Sequence, residues 1–132
     1  MTGQEPGGKW MVRGGWVLSI LPALMLVMSG VMKLVGGEAI ESGFAHLGWP
    51  ASSATMLGVL ELACVALFLM PQTAVLGAIL VTGYLGGAIA THVRLEEAFA
   101  VPLLLGVLVW AGLYLRDARL RALIPLRRPH SA

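Results

Sequence analysis

Hydrophobic positions along the chain fall into four long runs, at 15–35, 53–70, 73–91 and 99–115, separated by short polar breaks. None of the runs alternates with period two, which argues against the strands of a transmembrane barrel with a polar lumen. Each lies near the ~20 residues that carry a helix across ~30 Å of hydrocarbon, the last three being slightly short. The pattern predicts an all-α fold, an antiparallel four-helix transmembrane bundle, because breaks this brief force each helix to run against the one before it. The length of 132 residues accommodates one such domain.

The punctuation between and within the runs refines this. Pro22 removes a hydrogen bond to the Leu18 carbonyl and is expected to bend the first helix, which Gly36 and Gly37 then end. The connection 38–50 carries Phe44, Leu47 and Trp49 and is expected to lie along the membrane interface. Ser52 or Ser53 supplies an N-cap for the second helix, and Pro71 stops it. Only Pro71, Gln72 and Thr73 then join it to the third, so the two form a tight hairpin. In the third helix Ala74, Ala78, Thr82, Gly86 and Ala90 recur every four positions, with Gly83 and Gly87 making a G-x-x-x-G beside them. Such a surface lets backbones approach closely in lipid, so this helix is expected to be the most tightly packed. Packing inside the bundle is the first use of that surface, and a homo-oligomer interface the second. Pro102 stands in the first turn of the fourth helix, where proline is tolerated.

Composition agrees with a membrane protein: 58% of residues are hydrophobic and 12% charged, far from an ordinary soluble domain. The first run is longer than the 7–15-residue core of a signal peptide and no A-x-A-like site follows it, so it is read as a spanning helix. The net charge of +2 does not imply nucleic-acid binding, because the basic residues gather at helix ends and in the tail 116–132. Lys9 and Arg13 at one end and Arg116, Arg119, Arg121, Arg127 and Arg128 at the other place both termini in the cytoplasm, in a multi-pass protein of the inner (plasma) membrane. Leu120, Leu123, Ile124 and Leu126 alternate with these arginines, so the tail is expected to rest on the anionic inner leaflet, with membrane lipids as partners.

Glu61 stands in the middle of the second run. A charge at the centre of a membrane helix costs about 2.5–3.5 kcal/mol on insertion scales, so such a residue faces a partner or a cavity and is by default a candidate site. At 1.5 Å per residue both Glu61 and Tyr84 lie ~12 Å below the outer helix ends and can share a level. Lys33 and His92 sit one to two turns above them, and Ser29, four residues before Lys33, lies between. Cys64, three residues after Glu61, shares its face. Each has a structural reading beside the functional one. Lys33 can snorkel to the headgroups, His92 can be a helix-end residue, and Tyr84 can be packing with a satisfied hydroxyl. Cys64 can be a small buried hydrophobe, and Glu61 a hydrogen-bonded fastener between helices. A lone histidine and a lone cysteine make no metal site, and the single cysteine leaves no intramolecular disulfide.

The segments S-G-V-M-K-L with Lys33, F-A-H-L-G-W-P at 44–50, L-G-V-L-E-L with Gly58 and Glu61, and G-A-I-A-T-H with His92, in that order and spacing, resemble the DoxX-like family of small four-helix membrane proteins. The resemblance runs from Trp16 to Arg128. It implies kinship with a membrane subunit associated with thiosulfate:quinone oxidoreduction and with parts of membrane-bound redox complexes. Two readings follow. In the first, a polar intramembrane pocket around Glu61, Lys33 and His92, with Tyr84, Ser29 and Cys64 against the ligand, takes a small hydrophobic or quinone-like molecule, and any catalysis is acid–base or redox-linked. In the second, the chain is a non-catalytic membrane subunit that anchors or scaffolds a partner protein, a redox protein among the candidates. A transporter ranks third, four helices without a visible repeat being few for alternating access.

Overall fold

The computed structural model describes residues 6–127, all of it helix and short connections; Arg128 and the rest of the tail lie outside the described residues. Six α-helices follow in order: α1 (Pro6–Val35), α2 (Glu38–Leu47), α3 (Ser53–Leu69), α4 (Ala74–Arg94), α5 (Ala100–Arg116) and α6 (Ala118–Leu123), with a single 3₁₀ turn, Pro71–Thr73, between α3 and α4. The four apolar runs correspond to α1, α3, α4 and α5. Two further helices occupy stretches read from the sequence as a connection and a tail.

The extra helices have local causes. In α2, Glu38 and Glu41 stand in the first turn and His46 in the last, the arrangement that a helix dipole favours. Gly48, at φ 77°, closes it in a left-handed conformation. In α6 the Asp117 carboxylate accepts the backbone N–H of Arg119 at 2.9 Å and of Leu120 at 3.4 Å, an N-cap that starts the helix at once after α5. The expected serine cap of α3 is different: Ser52 holds the N-cap position but its side chain makes no capping bond.

α1 is longer than the first apolar run, beginning nine residues earlier and continuing through Pro22. Its 30 residues rise ~45 Å, more than the hydrocarbon thickness, so its first turns extend beyond any span. Two helices, 8–35 and, counting the 3₁₀ turn, 71–94, are long and apolar enough to cross a membrane, while α3 and α5 are apolar but 17 residues each.

α1 packs against α3 and α5, and α4 packs against the same two. The core between them is formed by Leu26, Val65, Phe68, Ala78, Val81, Val109 and Leu113. Outside this ring the large apolar side chains point away from the protein: Leu21, Leu24 and Met28 on α1, Val59 and Leu60 on α3, Ile79 and Leu80 on α4, and Leu103, Leu104 and Val107 on α5 are all exposed. A soluble monomer rarely exposes so continuous an apolar surface. Lipid is the solvent that suits it.

Arg116 ties three helices together at the end that carries α6. Its Nε donates to Ser19 Oγ of α1 at 3.0 Å and its terminal nitrogen to the Phe68 carbonyl of α3 at 3.2 Å. The guanidinium lies over the Trp16 ring at 4.1 Å and the Phe68 ring at 5.1 Å. Read from the sequence only as a basic residue of the tail, it caps the last turn of α3, where a cation meets the negative end of the helix dipole.

The four-residue stripe on α4 divides. Ala74 and Ala78 are buried, and Gly77 beside them lies against the backbone of Phe68. Thr82, Gly86 and Ala90 are exposed, and a side chain added at Gly83, Gly86 or Gly87 would meet nothing within 4 Å among the described residues. The G-x-x-x-G pair is therefore not used in packing among those residues, which corrects the expectation that α4 owes its packing to that face. Close approach to α3 is achieved one and a half turns earlier, beside the Pro71–Thr73 hairpin.

Candidate functional site

Glu61 points inward from α3 and is 2% exposed. α1 comes close enough to reach it because two glycines face each other at the crossing. A Cβ on Gly58 would stand 2.9 Å from the Gly30 carbonyl oxygen and 3.0 Å from Lys33 Cβ, so any side chain there would push the helices apart. Both glycines belong to the motifs that carry the polar residues, Ser29-Gly30-x-x-Lys33 and Gly58-x-x-Glu61. One short segment on each helix thus supplies the close approach and the chemistry.

A helical side chain leans toward its own N-terminus, so Lys33 leans back one turn toward Ser29 and away from the nearer helix end. This is why it turns inward instead of snorkelling. Its Nζ donates to Glu61 Oε2 at 2.8 Å and to Ser29 Oγ at 2.5 Å. Ser29, having accepted from Lys33, donates its own hydroxyl to Glu61 Oε2 at 3.3 Å, and Tyr84 of α4 donates to the same oxygen at 3.2 Å. Three donors from two helices converge on one carboxylate oxygen.

The other oxygen is left over. Oε1 has no hydrogen-bond partner among the described residues, whereas every fully buried side-chain nitrogen or oxygen there has one. Oε1 therefore retains accessible surface although its residue is almost wholly buried. Lys33 likewise has three N–H donors and commits two. The cluster offers one free acceptor and one free donor on neighbouring atoms.

Two of the six residues singled out from the sequence make no hydrogen bond to Glu61 among the described residues. The Nδ1–H of His92 donates to the Ala88 carbonyl one turn back on its own helix, at 2.7 Å, and the ring does not join the Glu61 cluster. Cys64 is buried among Val65, Phe68 and the other apolar residues of the core. No group of three or more His, Cys, Asp or Glu side chains among the described residues could hold a metal ion.

At the α2 end, contacts that the sequence did not disclose hold the polar connections together. His46 pairs with Glu97, Arg94 donates to the Leu47 carbonyl, and Trp49 Nε1 donates to Thr91 Oγ1 at 3.4 Å. Each joins residues more than 40 apart in the chain, and no local signal announces such a pairing. A cavity of about 740 Å³ opens in a further place, between α4 and α5, and none of the six candidate residues lines it.

All-α, with long apolar helices and an apolar exterior, the molecule has the character of a membrane protein. A model of the DoxX-like family matches residues 17–112, nearly three quarters of the chain and every residue of the Glu61 cluster; the chain belongs to that family. The match ends at Gly112, short of the basic tail included in the resemblance read from the sequence. No curated protein and no solved structure matches the chain.

Proposed function

We propose that α1, α3, α4 and α5 form an antiparallel four-helix bundle spanning the plasma membrane, with both termini in the cytoplasm, and that the Glu61 cluster binds a small hydrophobic or quinone-like molecule. Support for the topology comes from charge: Lys9, Arg13, Arg116, Arg119, Arg121 and Arg127 belong to the two ends of the chain, against Lys33 and Arg94 toward the α2 side. At 17 residues α3 and α5 reach the lower limit for a span. A cysteine introduced at Glu41 should be labelled by an impermeant reagent from outside intact cells and one at Arg127 only after permeabilisation. The reverse pattern would overturn the topology.

The observation that carries the functional reading is the asymmetry of Glu61. A buried carboxylate kept only to fasten helices has no reason to leave one oxygen unpartnered. The free acceptor at Oε1 fits a hydroxyl of the reduced form of a quinone, and the free N–H of Lys33 fits an oxygen of either form. A quinone held there would supply redox chemistry. The chain's own part is narrower: Lys33 donates to a ligand oxygen, Tyr84 and Ser29 hold Oε2 in place, and Glu61 takes or gives a proton at Oε1. His92, bonded to its own helix, has no part in that step.

Replacing Glu61 tests this. Glu61→Gln keeps the shape but cannot exchange a proton, and it should weaken binding of a short-chain quinol by about tenfold or more, the value of a hydrogen bond to a charged group. Glu61→Leu should abolish binding, and because it leaves the Lys33 ammonium without its partner, the fold is judged in Lys33→Met/Glu61→Leu, which should stay folded. A protein that binds the quinol equally well as Glu61→Gln but unfolds as Lys33→Met/Glu61→Leu would make Glu61 a fastener. The second reading, a non-catalytic subunit that docks a partner protein, draws support from the open face at Gly83 and Gly87, and it predicts that Gly83→Leu abolishes co-purification of that partner while quinone binding is absent throughout.

A further inference from the structure

The cavity between α4 and α5 shares no lining residue with the Glu61 cluster and differs from it in character. Leu85 and Ile89 form one wall, Gly106 and Trp110 the other, and Leu120 and Ile124 close its α6 end. The wall residues of α5 extend from Pro102 to Leu115, thirteen residues or ~20 Å along the helix axis, longer than the ~15 Å of hydrocarbon that one leaflet supplies. Its volume of about 740 Å³ lies within the ~300–1,000 Å³ of small-molecule sites.

Its polar end is defined by α6. Arg121 donates through one terminal nitrogen to the Tyr114 carbonyl at 2.9 Å and the Leu115 carbonyl at 2.7 Å. Both of those residues line the cavity, so the guanidinium is fixed at its α6 end with its remaining N–H groups uncommitted among the described residues. Arg119 flanks Leu120, another lining residue, and is exposed. The nearest acid, Asp117, has its carboxylate turned to the backbone N–H groups of Arg119 and Leu120. Neither arginine forms an ion pair among the described residues.

From this juxtaposition we infer that the groove is a binding site for one anionic phospholipid, with an acyl chain between α4 and α5 and the headgroup phosphate on Arg119 and Arg121. An apolar channel of acyl length has at one end Arg121, bonded to two of its lining residues, and Arg119, next in the chain to a third, neither in an ion pair among the described residues; a guanidinium suits phosphate because its N–H fork can be shared between two phosphate oxygens. A second copy of this chain in the same membrane orientation is the less suitable occupant, since the acid it would bring to that end, Asp117, is turned to the N–H groups of its own α6. The site would do more than rest the tail on a charged leaflet. It would use the lipid to fill the gap left between α4 and α5.

The test is native mass spectrometry of the full chain released from detergent in the presence of phosphatidylglycerol or phosphatidylcholine with the same acyl chains. Phosphatidylglycerol should be retained as a one-to-one complex, with affinity falling about fivefold for each of Arg119→Gln and Arg121→Gln and falling further with added salt. Ala111→Phe, which fills the groove midway, should remove the bound lipid without touching either arginine. Because Arg121 also holds the end of α5, the exposed Arg119→Gln and the salt titration of the parent chain decide the matter if Arg121→Gln misfolds. Equal retention of the two lipids, or phosphatidylglycerol binding that persists in Ala111→Phe, would overturn the assignment. So would a dimer of the parent chain that Ala111→Phe dissociates, since it would put a second copy in the groove. Quinone binding at Glu61 should be unchanged in Arg119→Gln, which keeps the two sites distinguishable.

Discussion

Lys33→Met should destabilise the protein by about 3–5 kcal/mol, the usual cost of removing one partner of a buried ion pair. Glu61 is 3% exposed at its side chain and Lys33 16%, so the little surface left at Oε1 gives a stranded carboxylate only slight compensation. Ser29 and Tyr84 would still donate to Oε2, but they bring dipoles where an ammonium had been. Lys33→Met/Glu61→Leu should recover most of the loss, and can exceed the parent by up to about 4 kcal/mol, because an apolar pair escapes the desolvation penalty altogether. SDS-driven unfolding in mixed micelles measures both. A Lys33→Met protein as stable as the parent would mean that the pair is not closed in the folded state; failure of the double variant to recover would mean that the carboxylate fastens the helices through Ser29 and Tyr84.

The second large effect is expected at Gly77. A Cβ there would fall on the main-chain nitrogen and Cα of Phe68, and backbone atoms, unlike the tip of a flexible side chain, cannot step aside. α3 and α4 are joined by only the Pro71–Thr73 turn, and Thr73 Oγ1 holds that turn to the Leu67 carbonyl at 2.8 Å, so the hairpin cannot open at one point without disturbing the other. Gly77→Ala should cost about 3 kcal/mol, the upper part of the usual overpacking range. Gly83→Leu on the same helix should unfold like the parent, since nothing among the described residues lies within 4 Å of that position. If Gly83→Leu proves as damaging as Gly77→Ala, a partner covers that face in the native protein.

The contrast between those glycines shows where sequence reasoning stops. G-x-x-x-G announces a helix face that another helix can approach, but the motif is the same whether the neighbour belongs to the same chain, to another copy or to nothing. Gly77 belongs to no such motif, yet it is the position where α4 meets α3, because a three-residue turn places its first helical turn beside the end of the preceding helix. α2 was more legible than the reading of 38–50 as a connection allowed. Its acidic first turn, the spacing of Ile40, Phe44 and Leu47, and Gly48 are ordinary helix signals in a stretch too short to stand out against four apolar runs.

For the site, the class of molecule and most of its polar residues were legible in the chain alone. An apolar chain with one carboxylate at mid-helix must give that group a partner, and few polar side chains at the right depth were available to choose from, which is why Ser29, Lys33, Glu61 and Tyr84 could be named together. Direction and sharing came from the packing of the helices. Side-chain lean along a helix turns Lys33 down to Glu61 and His92 back to Ala88, the Gly30–Gly58 crossing sets the reach, and the convergence of three donors on Oε2 leaves Oε1 free. The lipid-sized groove was beyond the sequence for the same reason: it is the space left where α4 and α5 part, and a pattern of hydrophobic positions tells which faces avoid water, not which of them meet.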